Sequence, residues 1–580
     1  MISNKQLADQ ILSRLAASRG EVEADLLLKN GFVVNVFTGE VIKTNVAIKG
    51  GHIAALGDNY QEGHTVLDLE GKYLAPGLID AHLHIESTLL LPTELSRIIT
   101  THGTTCVINE PHEIANVSGL AGVRLMLDAS QGLPCDYYST APSCVPATAM
   151  ETAGSELNAA EVTELLGDSK VVGLGEMMNY PGVIAGDEEV LAKLAAAQLA
   201  GKVIDGHAPA VEGAALQTYL SAGISTDHEC ITAEEALAKL RGGMKIIIRH
   251  GSASSSLAEL LPLVNALNAG SFMFGSDDRD AGELLGKGHL DDLLKTAVAL
   301  GADPLLMIRL ATINAARHYR LYDRGALAPG YRADLVVFDD LKSFHAHLVV
   351  KDGRLVAREG ELLVKIPEYQ PPQKALNSVK LRRPVNENDF VLTLPAGKNP
   401  VIGVVPGQLI TEKLLLDPKR GLDGAVVADA AAAINILAVV ERHRGSGRMA
   451  VALVRGIGLE RGAIASSVAH DSHNIIVAGV EEKAMAAAVN ELAGIGGGFV
   501  AVDEKGELIA SLPLPVAGLI STKSAVEVAA EMEKLLAAVA QLGSKLPQPF
   551  MTLSFLALPV IPTLKITDRG LFDVEAFKFL

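Results

Sequence analysis

Imidazoles and carboxylates recur in this chain at the ends of apolar runs. In "LAPGLIDAHLHIEST" (residues 74–88) such a run ends with Asp80, His82 and His84 at alternate positions, and Glu86 continues the series. Alternate residues of a strand share one face, and groups of this kind are costly to bury unless something pairs with them. Imidazole nitrogens and carboxylate oxygens bind borderline and harder divalent metals, so His82 and His84 are expected to grip one ion together. Glu176 in "GLGEMM", His207 in "IDGHAP", His228 in "STDHEC" and Asp277 in "FGSDD" complete a set of six ligands. That set is enough for two ions bridged by Glu176 and a water. A bridging carboxylate also offsets the mutual repulsion of two dications, which neutral ligands cannot do.

The elements that position these residues show a regular beat. Eight apolar runs, "YLAPGLIDAHLH", "TTCVINEPH", "CDYYSTAPS", "VVGLGEMMN", "KVIDGHAP", "GISTDHEC", "KIIIRHGS" and "SFMFGSDDRD", alternate with helix-like stretches such as "EEVLAKLAAAQLAG", "AEEALAKLRGG" and "LAELLPLVNALNAG". That is the spacing of βα repeats. A doubly wound open sheet fits the alternation as well. The ligands at the ends of the runs favour a closed (β/α)8 barrel of the TIM type, whose active sites lie at the C-terminal ends of its strands.

Short strand-like runs with Asn-Gly, Gly-Gly and Asp-Gly turns flank this beat on both sides. The expected organisation is a small discontinuous β-sandwich-like domain from residues 1–73 plus 325–366, with an N-terminal helix. The barrel takes 74–324, a Pro/Gln linker 367–384, and a C-terminal α+β domain 385–580. In that last region "SAVEVAAEMEKLLAAVAQLG" carries a capping box, Ser524 with Glu527, and Gly543 just past the helix end.

With 580 residues, 49% of them hydrophobic and 20% charged, the composition is that of a multi-domain globular α/β protein. A net charge of −18 argues against nucleic acid and anionic membranes as partners. No run approaches the ~18 apolar residues of a membrane span. Four scattered cysteines without a CxxC pair fit reduced thiols in a cytoplasm.

"PGLIDAHLHIES", "EPHEIANV", "GLGEMMNYPGV", "DGHAP", "MKIIIRHGSA", "GSDDRD" and "LAPGYRADLVVFDD" resemble the amidohydrolase superfamily and, within it, the adenine deaminase branch. "RGAIASSVAHDSHNIIVAG" and "LPLPVAGLIS" extend the resemblance to the C-terminal region. Glu110 stands where the resemblance leads one to expect aspartate, and His250 where some relatives have glutamate. The resemblance implies hydrolysis of adenine to hypoxanthine and ammonia in purine salvage, with two divalent ions, iron(II) or manganese(II) first and zinc(II) next. It implies that Asp277 both binds a metal and moves the proton from the attacking water to the departing amine. His112, Glu113 and Asp278 are candidates for orienting the ring or the proton on N1. For these, as for Glu86 and His250, hydrogen bonding behind the ligands is the equal alternative to substrate contact. A homodimer is the expected assembly.

Two rival readings stand beside this one. A cyclic amidase such as a dihydroorotase or hydantoinase shares the barrel, but such relatives usually bridge their metals with a carboxylated lysine, and the fourth run offers Glu176 instead. A non-catalytic barrel scaffold would have lost metal ligands, and all six are present. For His470, Asp471 and His473 in "AHDSHN" the expectation is a loop-holding role, with a further metal site or a reach across to the barrel mouth as the alternatives.

Overall fold

The computed structural model describes residues 3–252, 254–376 and 378–580; Met1, Ile2, Ala253 and Asn377, the last inside the expected linker, lie outside the described residues. Eight parallel strands follow the predicted beat: β1 (Leu78–Leu83), β2 (Thr104–Asn109), β3 (Asp136–Ala141), β4 (Val171–Met177), β5 (Val203–Gly206), β6 (Thr226–Asp227), β7 (Lys245–Arg249) and β8 (Phe272–Gly275). Parallel ladders join β1 to β5 in order and β6 to β8 in order. The Ser225 N–H donates to Ile204 O (2.9 Å) between the two groups. At the other seam Asp277 N–H donates to His82 O (3.0 Å) and His84 N–H to Asp277 O (3.2 Å). The ring of strands is therefore closed.

Alternation along the strands builds two apolar layers. Ile79, Ala81, Cys106, Ile108, Ile247 and Met273 meet inside the barrel. Ile246, Ile248, Phe272 and Phe274 point outward against the helices Leu290–Ala299 and Pro304–Leu310. The helix expected over "LAELLPLVNALNAG" does not form; a single turn Leu257–Leu260 passes into a 3-10 turn Leu261–Leu263. Pro262 has no N–H to continue an α-helix and its ring blocks the preceding turn.

The run that begins at Tyr73 is divided. Tyr73–Pro76 pairs with Leu335–Phe338 and with Ala24–Asn35 in a nine-stranded sheet, and only from Leu78 does the chain enter the barrel. That sheet gathers strands from before and after the barrel, with Glu361–Leu362 at one edge and His52–Leu56 at the other.

Residues 399–513 supply an eight-stranded sheet whose centre is Ile434–Val440 and Ile475–Gly479. The helix Glu482–Gly494 covers one face. On the other, Ala525–Gln541, capped by Ser524 and Glu527, shares an apolar core with barrel residues Leu83, Ile85, Leu95 and Ile114. Polar ties cross the same boundary: Thr152 donates to Asp568 through its amide (2.8 Å) and hydroxyl (2.6 Å). No helix among the described residues is long and apolar enough to cross a membrane.

Candidate metal centre

His82, His84, Glu176, His207, His228 and Asp277 meet at the C-terminal ends of the barrel strands, and the two oxygens of Glu176 divide them. On one side, His84 Nε2 lies 3.5 Å from Glu176 Oε1 and 3.3 Å from Asp277 Oδ1, with His82 Nε2 3.6 Å from the same Asp277 oxygen. On the other side, His207 Nδ1 and His228 Nε2 stand 2.8 and 3.0 Å from Glu176 Oε2 and 3.3 Å from each other. Two ligands each about 2.1 Å from one ion are roughly 3.0–3.4 Å apart. The spacing in both groups is close to that.

The hydrogen bonds behind the ligands agree. His84 Nδ1 donates to the Glu110 carbonyl (3.0 Å), which leaves the Nε2 lone pair facing Glu176 and Asp277. His82 Nε2 is buried and has no hydrogen-bond partner among the described residues. A buried nitrogen in that state is costly unless something else occupies it. These residues fit a pair of divalent cations.

Charge is concentrated here. Burial opposes ionisation of Glu176, yet His228, His112 and His207 hold it well below the usual carboxylate range. Burial likewise opposes Asp277, and Arg249 followed by His82 and His84 more than compensates. Burial works against a proton on His228, but Glu176 lifts its pKa to about 9. His82 goes the other way, pushed down by burial and by His228. Two ionised carboxylates thus draw positive charge into a site that burial keeps away from solvent.

The column read from the opening stretch is broken. The strand ends at Leu83, so only His82 and His84 converge. Asp80 turns to His289 Nε2 (2.9 Å) and the Ser276 N–H (3.1 Å), serving the rim rather than the cleft. Glu86 sits in a 3-10 turn and accepts the Ile114 N–H (3.1 Å). Burial and the neighbouring Glu113 carboxylate raise its pKa to about 7. It is held on the Ile114 amide and is not among the residues that line the cleft.

His112, Glu113 and Asp278 do line it. His112 Nδ1 is 3.2 Å from Glu176 Oε1, and the Ser87 hydroxyl donates to Asp278 (2.5 Å). His250 faces away, with Nδ1 at 2.8 Å from the Ser255 hydroxyl. Its neighbour Arg249 is the residue that sequence reasoning missed: it donates to Asp277 Oδ2 (2.7 Å) and grips Glu229. The signal was available, because Arg249 is in phase with the inward-facing Ile247, whereas His250 is not.

The C-terminal region contributes as well, by the reach to the barrel mouth that stood as an alternative to a loop-holding role. Residues 467–474, between the strands Ala463–Ser466 and Ile475–Gly479, bring His470 and Asp471 to the barrel mouth, while Leu409, Phe555, Leu558 and Ile561 form an apolar wall opposite the ligands. Asp471 Oδ1 lies 3.8 Å from His112 Nε2. His470 Nδ1 and His473 Nε2 approach Glu113 at 3.7 and 3.8 Å. This trio resembles a third metal group, but His473 Nδ1 accepts the Ala469 N–H (3.2 Å). Its Nε2 therefore carries the proton and has no lone pair to offer a cation. The segment is held as a loop, as expected, and it also reaches the site.

The comparisons with known proteins agree along the whole chain. Residues 73–356 match the model "Amidohydrolase family", and residues 408–578 match "Adenine deaminase C-terminal domain". A protein named "Adenine deaminase" from Desulfatibacillum aliphaticivorans is 46% identical over 99% of both chains. "Adenine deaminase 2" from Carboxydothermus hydrogenoformans is 47% identical over 96% of this chain and 97% of its own. "Adenine deaminase" from Methanothrix thermoacetophila is 47% identical over 97% of this chain and 98% of its own.

Proposed function

This chain belongs to the adenine deaminases of the amidohydrolase family, and from that premise we propose how its residues divide the work of hydrolysing adenine to hypoxanthine and ammonia. The observation that carries the reading is the position of Glu176, one oxygen facing the His82, His84 and Asp277 group and the other facing His207 and His228. His82, His84 and Asp277 would hold one divalent ion and His207 and His228 the other, with one oxygen of Glu176 available to each group. When bound, such ions supply Lewis acidity that lowers the pKa of water from 15.7 toward about 7. Imidazole and carboxylate ligands admit iron(II), manganese(II) and zinc(II) alike; the family resemblance puts iron(II) or manganese(II) first.

The chain's own groups then move protons and hold the base. Asp277 Oδ1 faces the ligand side, while Arg249 fixes Oδ2, so the carboxylate is oriented to take a proton from the attacking water and pass it to the departing amine. The amine must leave as ammonia, since an amide ion is far too basic to depart. His112, Glu113 and Asp278 line the same cleft and are placed to orient the ring and the N1 proton. Burial keeps bulk water out and strengthens each of these interactions. The cyclic amidase alternative has no support in the fourth strand, which carries Glu176 and no lysine. A homodimer and a cytoplasmic location complete the proposal.

The test is turnover of adenine by protein reconstituted in turn with iron(II), manganese(II) and zinc(II), with metal counted on each sample. The expected outcome is stoichiometric hypoxanthine and ammonia with two ions per chain. Ring-opened acid from a cyclic amide, with no ammonia from adenine, would overturn the reading.

A further inference from the structure

Asp471 does not belong to the ligand set and comes from outside the barrel, yet it lines the cleft and is almost wholly buried. Its two oxygens face different surroundings. Oδ1 lies 3.8 Å from both His112 Nε2 and His470 Nδ1. Oδ2 is buried and has no hydrogen-bond partner among the described residues. Burial disfavours its charge, but His112 and then His470 hold the pKa below the ordinary aspartate value. An ionised carboxylate accepts and cannot donate. An unpaired acceptor in such a place calls for a donor that arrives with the ligand.

The carboxylate is also fixed in place. Ser472 Oγ donates to Glu151 (2.6 Å), Asn474 Nδ2 donates to the Thr152 carbonyl (2.9 Å), and His443 Nε2 meets the Ser472 carbonyl at 2.7 Å. Beside it Phe555 stacks on His470, with centroids 4.5 Å apart and planes 15° apart. Leu558 and Ile561 continue this apolar surface. Such a wall suits the face of a planar heterocycle.

Adenine has two kinds of N–H donor, the exocyclic amine and the ring N–H of its five-membered ring. The amine is the group that leaves, and it must face Asp277 and the ligands. The ring N–H is the remaining donor. We infer that Asp471 is a specificity-determining residue that accepts the N–H of adenine's five-membered ring, so that the site selects the free base over forms substituted at that nitrogen, nucleosides among them. This rests on the deaminase reading above. A substituent there would leave the carboxylate buried against carbon with its acceptor unmet, a mismatch that discriminates by about 100-fold or more.

The experiment compares kcat/KM for adenine, 7-methyladenine and 9-methyladenine in manganese-reconstituted full-length protein, for the wild type, Asp471→Asn and Asp471→Ala, with ions counted in each. The wild type should prefer adenine over at least one methyl isomer by about 100-fold or more. Both variants should keep two ions and narrow that preference at least tenfold, chiefly by raising the KM for adenine. Asn preserves the shape of Asp, so it carries the test if Ala fails to fold. Equal use of all three bases by the wild type would overturn the inference. So would variants that lose adenine and methyladenine turnover in the same proportion, since that is the behaviour of a merely structural residue. Absence of ammonia release from adenine by the wild type would instead defeat the deaminase reading itself.

Discussion

The barrel buries charged clusters at both ends, and they are made differently. Where the strands begin, Asp136 Oδ2 lies 2.7 Å from Arg324 Nη1, 2.9 Å from Lys351 Nζ and 3.2 Å from Arg332 Nη2, and Lys351 also reaches Asp334 (3.0 Å). Burial works against the charge on Asp136, but Lys351, Arg324 and Arg332 hold its pKa well below the carboxylate range. Where the strands end, Arg249 takes only one oxygen of Asp277; the other, and both oxygens of Glu176, face imidazoles. The first cluster brings its cations in its own sequence. The second offers lone pairs and carboxylates that are complete only with cations from outside. Buried charge alone therefore does not mark a site; the kind of partner does.

Substitutions break or sharpen this contrast to different degrees. The largest effect is expected from Asp277→Asn, which should lower kcat about 1,000-fold while most metal stays bound. Near-normal turnover would remove the proton-moving role. His82→Ala should reduce metal content below two per chain and activity by about 100-fold together, as losing a direct ligand must cost at least what a supporting partner does. Retention of both would defeat the ligand assignment. Arg249→Lys should keep both ions and lower kcat about tenfold, because an ammonium cannot bridge Glu229 and Asp277 as a guanidinium does. An unchanged kcat would make Arg249 a bystander.

At the opposite end the readout should change in kind. Asp136→Asn strands buried cations, a loss of about 3 kcal/mol. It should lower the apparent melting temperature by a few degrees and leave kcat and metal content alone. Loss of ions in this variant would mean that the two clusters are not independent.

The smallest effect concerns the boundary between barrel and C-terminal region. Burial raises the pKa of Glu151 from 4.5 to about 8 against the opposing hydrogen bond from Ser472. A group with a raised folded-state pKa contributes stability that is present below pH 4.5 and is lost as pH rises through about 8. Glu151→Gln should therefore match the wild type near pH 5 and outlast it by a few degrees at pH 9, as thermal unfolding across that range would show. Parallel pH profiles would contradict the assignment.

Much of this was legible in the sequence because strand chemistry is periodic. Eight apolar runs located eight strands, and the polar residues at their ends located the six side chains that meet at the barrel mouth. What was not legible depended on local departures from period. A bulge between Asp80 and Leu83 and a 3-10 turn at Glu86–Thr88 took Asp80 and Glu86 out of the column. Pro262 ended a helix that apolar spacing alone would have continued. Arg249 carries no ligand atom and so has no place in a pattern of imidazoles and carboxylates, although strand phase puts it, and not His250, on the inward face. The Phe555 wall was beyond reach, and the arrival of Asp471 at the mouth stood only as an alternative, for another reason: which loop of one sheet meets the mouth of another is set by tertiary packing and leaves no periodic trace.

The most direct measurement is the anomalous scattering of manganese in crystals of the reconstituted protein. Two peaks are predicted on either side of the Glu176 carboxylate, one about 2.0–2.4 Å from His82 and His84 and the other as close to His207 and His228. A single peak, or a second one seated among Glu113, His470 and His473, would contradict the account.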